Sequence, residues 1–201
     1  MLDPRDDTTL GITEDRILTW PNAVTVVRLL LIPVFLYLLF GLEARWEAAA
    51  LLGLIGATDW VDGYLARRLD QISELGKVLD PTADRLVLVV GVVSIIIDGS
   101  VPLWFGVATL VREVAVGATA IVLALLGARR FDVTWWGKCG TFGLLVSYPM
   151  FLAGNSSAFG ADLFMIGAWV FGIPGLIFSY LSAAEYIPIA RDALKRGRVA
   201  R

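Results

Sequence analysis

Asp59, Asp62, Asp80 and Asp84 are the residues of this chain most suited to chemistry. They frame the segment DWVDGYLARRLDQISELGKVLDPTAD, which lies between strongly apolar stretches. The first two aspartates are three residues apart and the last two are four apart, so on helices each pair lies on one face. Because ionised side chains cost free energy at membrane depth, this cluster predicts a functional site.

A short loop between the two helices would bring both acidic faces to one level. Four carboxylates that close cannot all stay ionised without cations, and oxygen ligands favour hard ions such as Mg²⁺. We expect two Mg²⁺ ions, with Mn²⁺ as an alternative, to clamp a pyrophosphate. One carboxylate would then take the proton of an alcohol. The structural alternative is an acidic network paired with nearby basic side chains, namely Arg67, Arg68, Lys77 and Arg85.

Composition indicates a membrane protein, since 57% of the residues are hydrophobic and 18% are charged. A spanning helix needs about 20 mostly apolar residues, and six stretches qualify: 22–40, 47–69, 78–97, 102–127, 137–153 and 163–187. We predict an all-α polytopic membrane protein with six transmembrane helices in one domain, residues 1–201. Its predicted parts are a polar tail (1–11), an amphipathic surface helix (12–20), a six-helix bundle (22–187) and a basic cytoplasmic tail (188–201).

Lysine and arginine mark one side of this bundle. They precede the first span, follow the sixth, and lie between spans two and three and between spans four and five, whereas the opposite loops hold only Arg45. Positive charge accumulates on the cytoplasmic side, so we expect a cell-membrane protein with both termini and the acid cluster in the cytoplasm. The single cysteine, Cys139, cannot form an internal disulfide, and without histidine the acid–base chemistry falls to carboxylates.

Polar side chains also line the start of the first span. Asn22, Thr25 and Arg28 repeat at three-residue spacing on one helix face. In one interpretation Asn22 caps the helix, Thr25 packs and Arg28 extends to the interface. In the other, all three form part of a polar pocket.

At the aspartates the chain resembles the CDP-alcohol phosphatidyltransferases. The signature of that family is D-x2-D-G-x2-A-R, about eight further residues, and G-x3-D-x3-D. All its fixed positions are present: Asp59, Asp62, Gly63, Ala66, Arg67, Gly76, Asp80 and Asp84. The resemblance implies six membrane helices, a surface helix before them and a homodimer.

The resemblance also implies a reaction and a set of roles. These enzymes replace the CMP of CDP-diacylglycerol with an alcohol, using two divalent ions. The four aspartates correspond to the metal ligands, and Asp84 to the proposed general base. Contacts to the CDP-lipid are expected from Asn22, Thr25, Gly63, Ala66, Arg67, Ser73 and Gly76.

The acceptor is expected to be glycerol 3-phosphate. The segment WPNAVTVVRLLLIPVF, the pair Arg112 and Glu113, the segment GKCGTF (137–142) and residues 182–186 resemble phosphatidylglycerophosphate synthases and CDP-dependent cardiolipin synthases. Arg85, Arg112 and Lys138 are the candidate phosphate-binding residues, although Arg112 could instead pair with an acid and Lys138 could be an interfacial anchor. Gly140 replaces a lysine frequent in glycerophosphate enzymes, which raises the alternative that phosphatidylglycerol is the acceptor and cardiolipin the product.

A cation transporter is the alternative from another class, because intramembrane acids also line ion pathways. Transporters place such acids near the midplane on broken helices, whereas here the acids gather toward one face.

The expected partners of the enzyme are the two substrates, the lipid bilayer and a second copy of the chain, with no nucleic acid.

Overall fold

A computed structural model describes residues 20–69, 76–125 and 134–199, with side chains at 24–58, 83, 85–119, 121 and 134–185. The described residues form six α-helices and no strand, which confirms the all-α prediction. The helices are α1 Trp20–Leu36, α2 Arg45–Leu69, α3 Gly76–Asp98, α4 Leu103–Leu125, α5 Trp135–Gly154 and α6 Ala161–Val199; a π-helical turn, Tyr37–Gly41, extends α1.

Each predicted span overlaps one of these helices. The last helix is longer than expected, because α6 continues through the predicted basic tail to Val199; alanine, lysine and arginine are abundant there and favour helix. Two stretches of the described residues are long and apolar enough to cross a membrane, Val24–Gly41 and Ala161–Glu185. The six-span arrangement therefore remains a proposal. The predicted polar tail (1–11) and all but the last residue of the predicted surface helix lie outside the described residues.

Aromatic rings hold α4, α5 and α6 together near the end of the bundle where α4 begins. Phe105, Phe151 and Trp169 come one from each helix, and their ring centroids are 5.0 to 5.9 Å apart. Phe105 and Phe151 are fully buried. The edge-to-face geometry of the three pairs is the arrangement that aromatic quadrupoles favour.

Small residues form a seam between the antiparallel helices α5 and α6. A Cβ added to Gly143 would lie 2.8 Å from the Cα of Gly175, and one added to Gly172 would lie 2.6 Å from the Oγ of Ser147. Ser147 also donates a hydrogen bond of 3.0 Å to the carbonyl oxygen of Ala168. Close backbone approach through small residues is how helices gain packing energy where no hydrophobic effect drives them together.

A polar network joins α2, α3 and α5 at the same end as the aromatic cluster. Arg45 bonds through Nε to Asp98, 3.0 Å from Oδ2. The hydroxyl of Ser100 donates to the same carboxylate, and Nδ2 of Asn155 donates to the carbonyl oxygen of Ser100 over 2.8 Å. The network therefore ties together chain segments that are far apart in sequence.

The seam predicts that Gly143→Ala destabilises the bundle. The added methyl group would meet the backbone of α6, which cannot move aside as a flexible side chain can, and overpacking costs about 1–3 kcal/mol. We expect a lower thermal midpoint for the purified protein in detergent micelles. The matched control is Gly53→Ala, because a Cβ there lies 3.8 Å from Pro149, an ordinary contact. Equal midpoints for both variants would contradict the seam.

Candidate functional site

The motif aspartates lie on two helices that meet at a short connection. Asp59 and Asp62 are in the last part of α2, and Asp80 and Asp84 are in the first part of α3. Gly63, Ala66 and Arg67 are also helical positions of α2, and Gly76 is the first residue of α3. The side chains of these residues and of Asn22, and all of Ser73, lie outside the described part, so their roles stay predictions.

Two contacts define the register between α2 and α3. The first is the ion pair of Arg45 with Asp98. Seven residues further along α2 is Leu52, whose Cδ1 would lie 3.5 Å from a Cβ on Gly91, which is seven residues before Asp98. Seven residues are about two helical turns. The helices are therefore antiparallel and matched in height at these two points.

Thr25 and Arg28 of α1 are buried inside the bundle, with 4% and 5% of their surface exposed. Arg28 lines a cavity of about 120 Å³ whose other walls come from α2, α3 and α5. Those walls are mostly apolar: Leu52, Ile55, Gly56, Val87, Leu88, Gly91, Val92, Thr141, Leu144, Leu145, Tyr148 and Pro149. Burial of Arg28 argues against a purely interfacial position for it, whereas burial of Thr25 fits both packing and a polar pocket.

The three candidate acceptor-binding residues have different surroundings. Arg112 is 7% exposed, forms an ion pair with Glu113 and points Nε at the carbonyl oxygen of Ser179, 3.5 Å away. It thus pairs with an acid, the alternative that the sequence left open. Lys138 is exposed in the first turn of α5, and Arg85 is exposed on α3 with its guanidinium against Gly117 of α4.

Gly140 occupies the tightest point between α5 and α6. A Cβ there would be 2.6 Å from the backbone nitrogen of Ser179 and 2.5 Å from its Oγ. No side chain fits at this position without separating the helices. The close packing of α5 against α6 therefore excludes a lysine at position 140.

Sequence reasoning missed several polar residues of this region. Glu113 was used only as a mark of resemblance, and Ser179 was not identified. Thr134 caps α5 by accepting a 3.2 Å hydrogen bond from the amide of Gly137, and its hydroxyl lies 2.9 Å from that of Ser182. Only Thr134 carried a recognisable signal, since threonine is a preferred residue before a helix.

A metal-binding group of three or more acidic, histidine or cysteine side chains does not occur among the described residues. The predicted ligands have their side chains outside that set. What the described residues provide is the frame: α2 and α3 in matched antiparallel register, closed by α1 and α5.

Comparison with known proteins gives a consistent picture. The profile of the CDP-alcohol phosphatidyltransferase family matches residues 18–174. A Mycobacterium tuberculosis protein provisionally named a cardiolipin synthase is 37% identical over 86% of this chain and 82% of its own length. The cardiolipin synthase (CMP-forming) of Streptomyces coelicolor is 33% identical over 92% of this chain and 88% of its own. The CDP-diacylglycerol–glycerol-3-phosphate 3-phosphatidyltransferase of Bacillus subtilis is 31% identical over 87% and 96%.

The pair of Arg112 and Glu113 predicts an asymmetric effect of mutation. Glu113→Gln leaves a buried guanidinium without its counter-charge and should lower stability by about 3 kcal/mol, as expected when one partner of a buried pair is removed. Arg112→Met combined with Glu113→Gln should be more stable than Glu113→Gln alone. Unfolding in mixed micelles measures both, with Glu47→Gln, an exposed acid of α2, as the control. A double variant less stable than the single one would contradict this account.

Proposed function

This chain belongs to the CDP-alcohol phosphatidyltransferase family, and we propose that it transfers the phosphatidyl group of CDP-diacylglycerol to glycerol 3-phosphate. It is a transferase of phospholipid biosynthesis. In the proposed reaction the acceptor hydroxyl oxygen forms a bond to the phosphorus of the phosphatidyl group. The bond from that phosphorus to CMP breaks, and CMP leaves with the electron pair.

The register of α2 and α3 is the observation that carries this proposal. Asp59 is seven residues beyond Leu52, and Asp84 is seven residues before Gly91. Continued for these two turns, the same register would bring both aspartates to one level at the end of the bundle opposite Arg45 and Asp98. Asp62 and Asp80 follow one turn nearer the connection. Two acidic faces at one level support a shared site.

Four carboxylates on facing helices provide the oxygen-only ligands that suit Mg²⁺ or Mn²⁺. We propose that Asp59, Asp62, Asp80 and Asp84 hold two such ions. When bound, the ions supply charge stabilisation for the pyrophosphate and the departing CMP. Asp84 accepts the proton of the acceptor hydroxyl.

Residues around the acids would hold the donor lipid. Gly63, Ala66 and Gly76 leave room for the nucleotide beside the helix backbone, and Arg67 offers a planar donor fork to phosphate. Asn22, Thr25 and Ser73 complete the proposed CDP-lipid contacts. The largely apolar cavity beside Ile55 and Val87 supports a lipid donor, because both residues lie about one turn from the aspartates on the side away from the connection.

The site is proposed to face the cytoplasm of a cell-membrane protein with six spans. The distribution of lysine and arginine supports this orientation. Soluble glycerol 3-phosphate and CMP would then exchange with the cytoplasm while the donor stays in the bilayer. A homodimer is proposed from family membership.

Phosphatidylglycerol is the second candidate acceptor, with cardiolipin as the product. Two observations favour it: Gly140 leaves no room for a lysine, and the charge of Arg112 is compensated by Glu113. Fewer uncompensated cations suit a phosphodiester with one negative charge better than a phosphomonoester with two. Two of the relatives compared above carry a cardiolipin synthase name.

Product analysis tests the proposal. We expect the purified protein with Mg²⁺ and CDP-diacylglycerol to release CMP when given glycerol 3-phosphate, and mass spectrometry to show phosphatidylglycerophosphate. Cardiolipin formed only from phosphatidylglycerol would replace the first acceptor with the second. No CMP with either acceptor would overturn the enzyme proposal and return attention to ion transport.

Asp84→Asn should abolish CMP release, because it removes both a metal ligand and the base, and a base alone contributes about 10²–10⁴-fold. Chelation with EDTA should do the same to the wild type, and added Mg²⁺ or Mn²⁺ should restore activity. The matched control is Asp162→Asn, an exposed acid in the first turn of α6. Wild-type turnover by Asp84→Asn would exclude this aspartate from the reaction.

A further inference from the structure

We infer that Gly117 is a positioning residue. Because glycine has no side chain, position 117 leaves space for the guanidinium of Arg85, which binds the phosphate group of the acceptor. The inference rests on the proposed function and adds a residue on α4 to it. Glycerol 3-phosphate and phosphatidylglycerol both carry the group in question, as a monoester and as a diester.

The guanidinium lies directly over Gly117. A Cβ on this glycine would be 3.0 Å from Nη1 of Arg85, 3.6 Å from Cζ and 4.0 Å from Nη2. No other atom outside α4 comes closer to that position. Gly117 is buried, whereas Arg85 as a whole residue is exposed.

This contact differs from the glycine contacts that only bring helices together. A Cβ on Gly143 would meet the backbone of α6 at Gly175 and Phe171. At Gly117 the neighbouring atoms are those of a charged group instead. The space left by Gly117 is therefore occupied by a cation, which one methyl group would displace by a few tenths of an ångström.

Arg85 is a cation with no ion pair among the described side chains. Arg112, five residues before Gly117 on the same helix, has its charge compensated by Glu113. Arg85 is thirteen residues from Asp98, about 20 Å along α3. A guanidinium at such depth in a membrane bundle is expected to have an anionic partner, and phosphate suits its planar donor fork.

Arg85 directly follows Asp84, the proposed base, on α3, so the two side chains leave the helix about 1.5 Å apart along its axis and about 100° apart around it. A phosphate bound at Arg85 would hold the acceptor by the group that does not react, close to the carboxylate that takes its hydroxyl proton. Arg67, on α2, is left to the pyrophosphate of the donor.

Steady-state kinetics of Gly117→Ala test the inference. We expect KM for the acceptor to rise several-fold, because a small displacement of the guanidinium weakens a charge-assisted hydrogen bond without removing it. The kcat and the KM for CDP-diacylglycerol should stay within about twofold of wild type. Gly53→Ala, the control with an ordinary Cβ contact to Pro149, should leave all three constants unchanged. A rise in KM for the donor, or no rise in KM for the acceptor, would overturn the inference.

A double-mutant cycle separates positioning from general damage. If Gly117 acts through Arg85, then Gly117→Ala should add no further increase in acceptor KM to Arg85→Gln. Additive effects would overturn the inference. The cycle is run with glycerol 3-phosphate and with phosphatidylglycerol, so that the arm in which KM moves identifies the acceptor.

Inorganic phosphate gives a test that does not depend on the stability of the glycine variant. It should inhibit the wild type competitively with the acceptor and should lose that inhibition at least several-fold in Arg85→Gln. Equal inhibition of both proteins would overturn the inference. A wild type that releases no CMP with any acceptor would refute the proposed function itself, which is a different outcome.

Discussion

The relative height of α2 and α3 is the constraint on which the proposed site depends. The ion pair of Arg45 with Asp98 and the approach of the Leu52 side chain to Gly91 match the heights of these helices two turns apart. The arginine side chain is 39% exposed and that of the aspartate 7%, so the pair contributes modestly to stability. Its larger effect is geometric, because a one-residue slip of either helix would rotate its acidic face by about 100°.

The other half of the bundle is held by contacts of a different kind. Between α5 and α6 the backbones touch through glycine and serine, and the aromatic rings of Phe105, Phe151 and Trp169 close one end. Added side-chain volume destabilises helices that are packed this closely. It also limits chemistry, because Gly140 lies at the tightest point and cannot be exchanged for a basic residue without moving a helix.

Arg112, Arg85 and Arg28 differ in burial and in the groups that surround them. Arg112 is buried, paired with Glu113 and directed at a carbonyl of α6, so its charge is compensated within the bundle. Arg85 is exposed and rests on the bare backbone at Gly117. Arg28 is buried beside the apolar cavity. These three arginines carry the same charge, but their surroundings differ.

The reaction class could be inferred from sequence because it needs particular side chains at helical spacing, and the eight motif positions specify both. Apolar periodicity likewise predicted α2 and α3 to within two residues at each end. Three features could be identified only from the tertiary structure: the acid that neutralises Arg112, the close helix approach at Gly140 and the space for the Arg85 guanidinium over Gly117. Each is a contact or a pairing whose geometry is decided by how whole helices pack; Arg112 and Ser179, for example, are 67 positions apart. A local pattern constrains which face a residue occupies, but only packing decides what lies opposite that face.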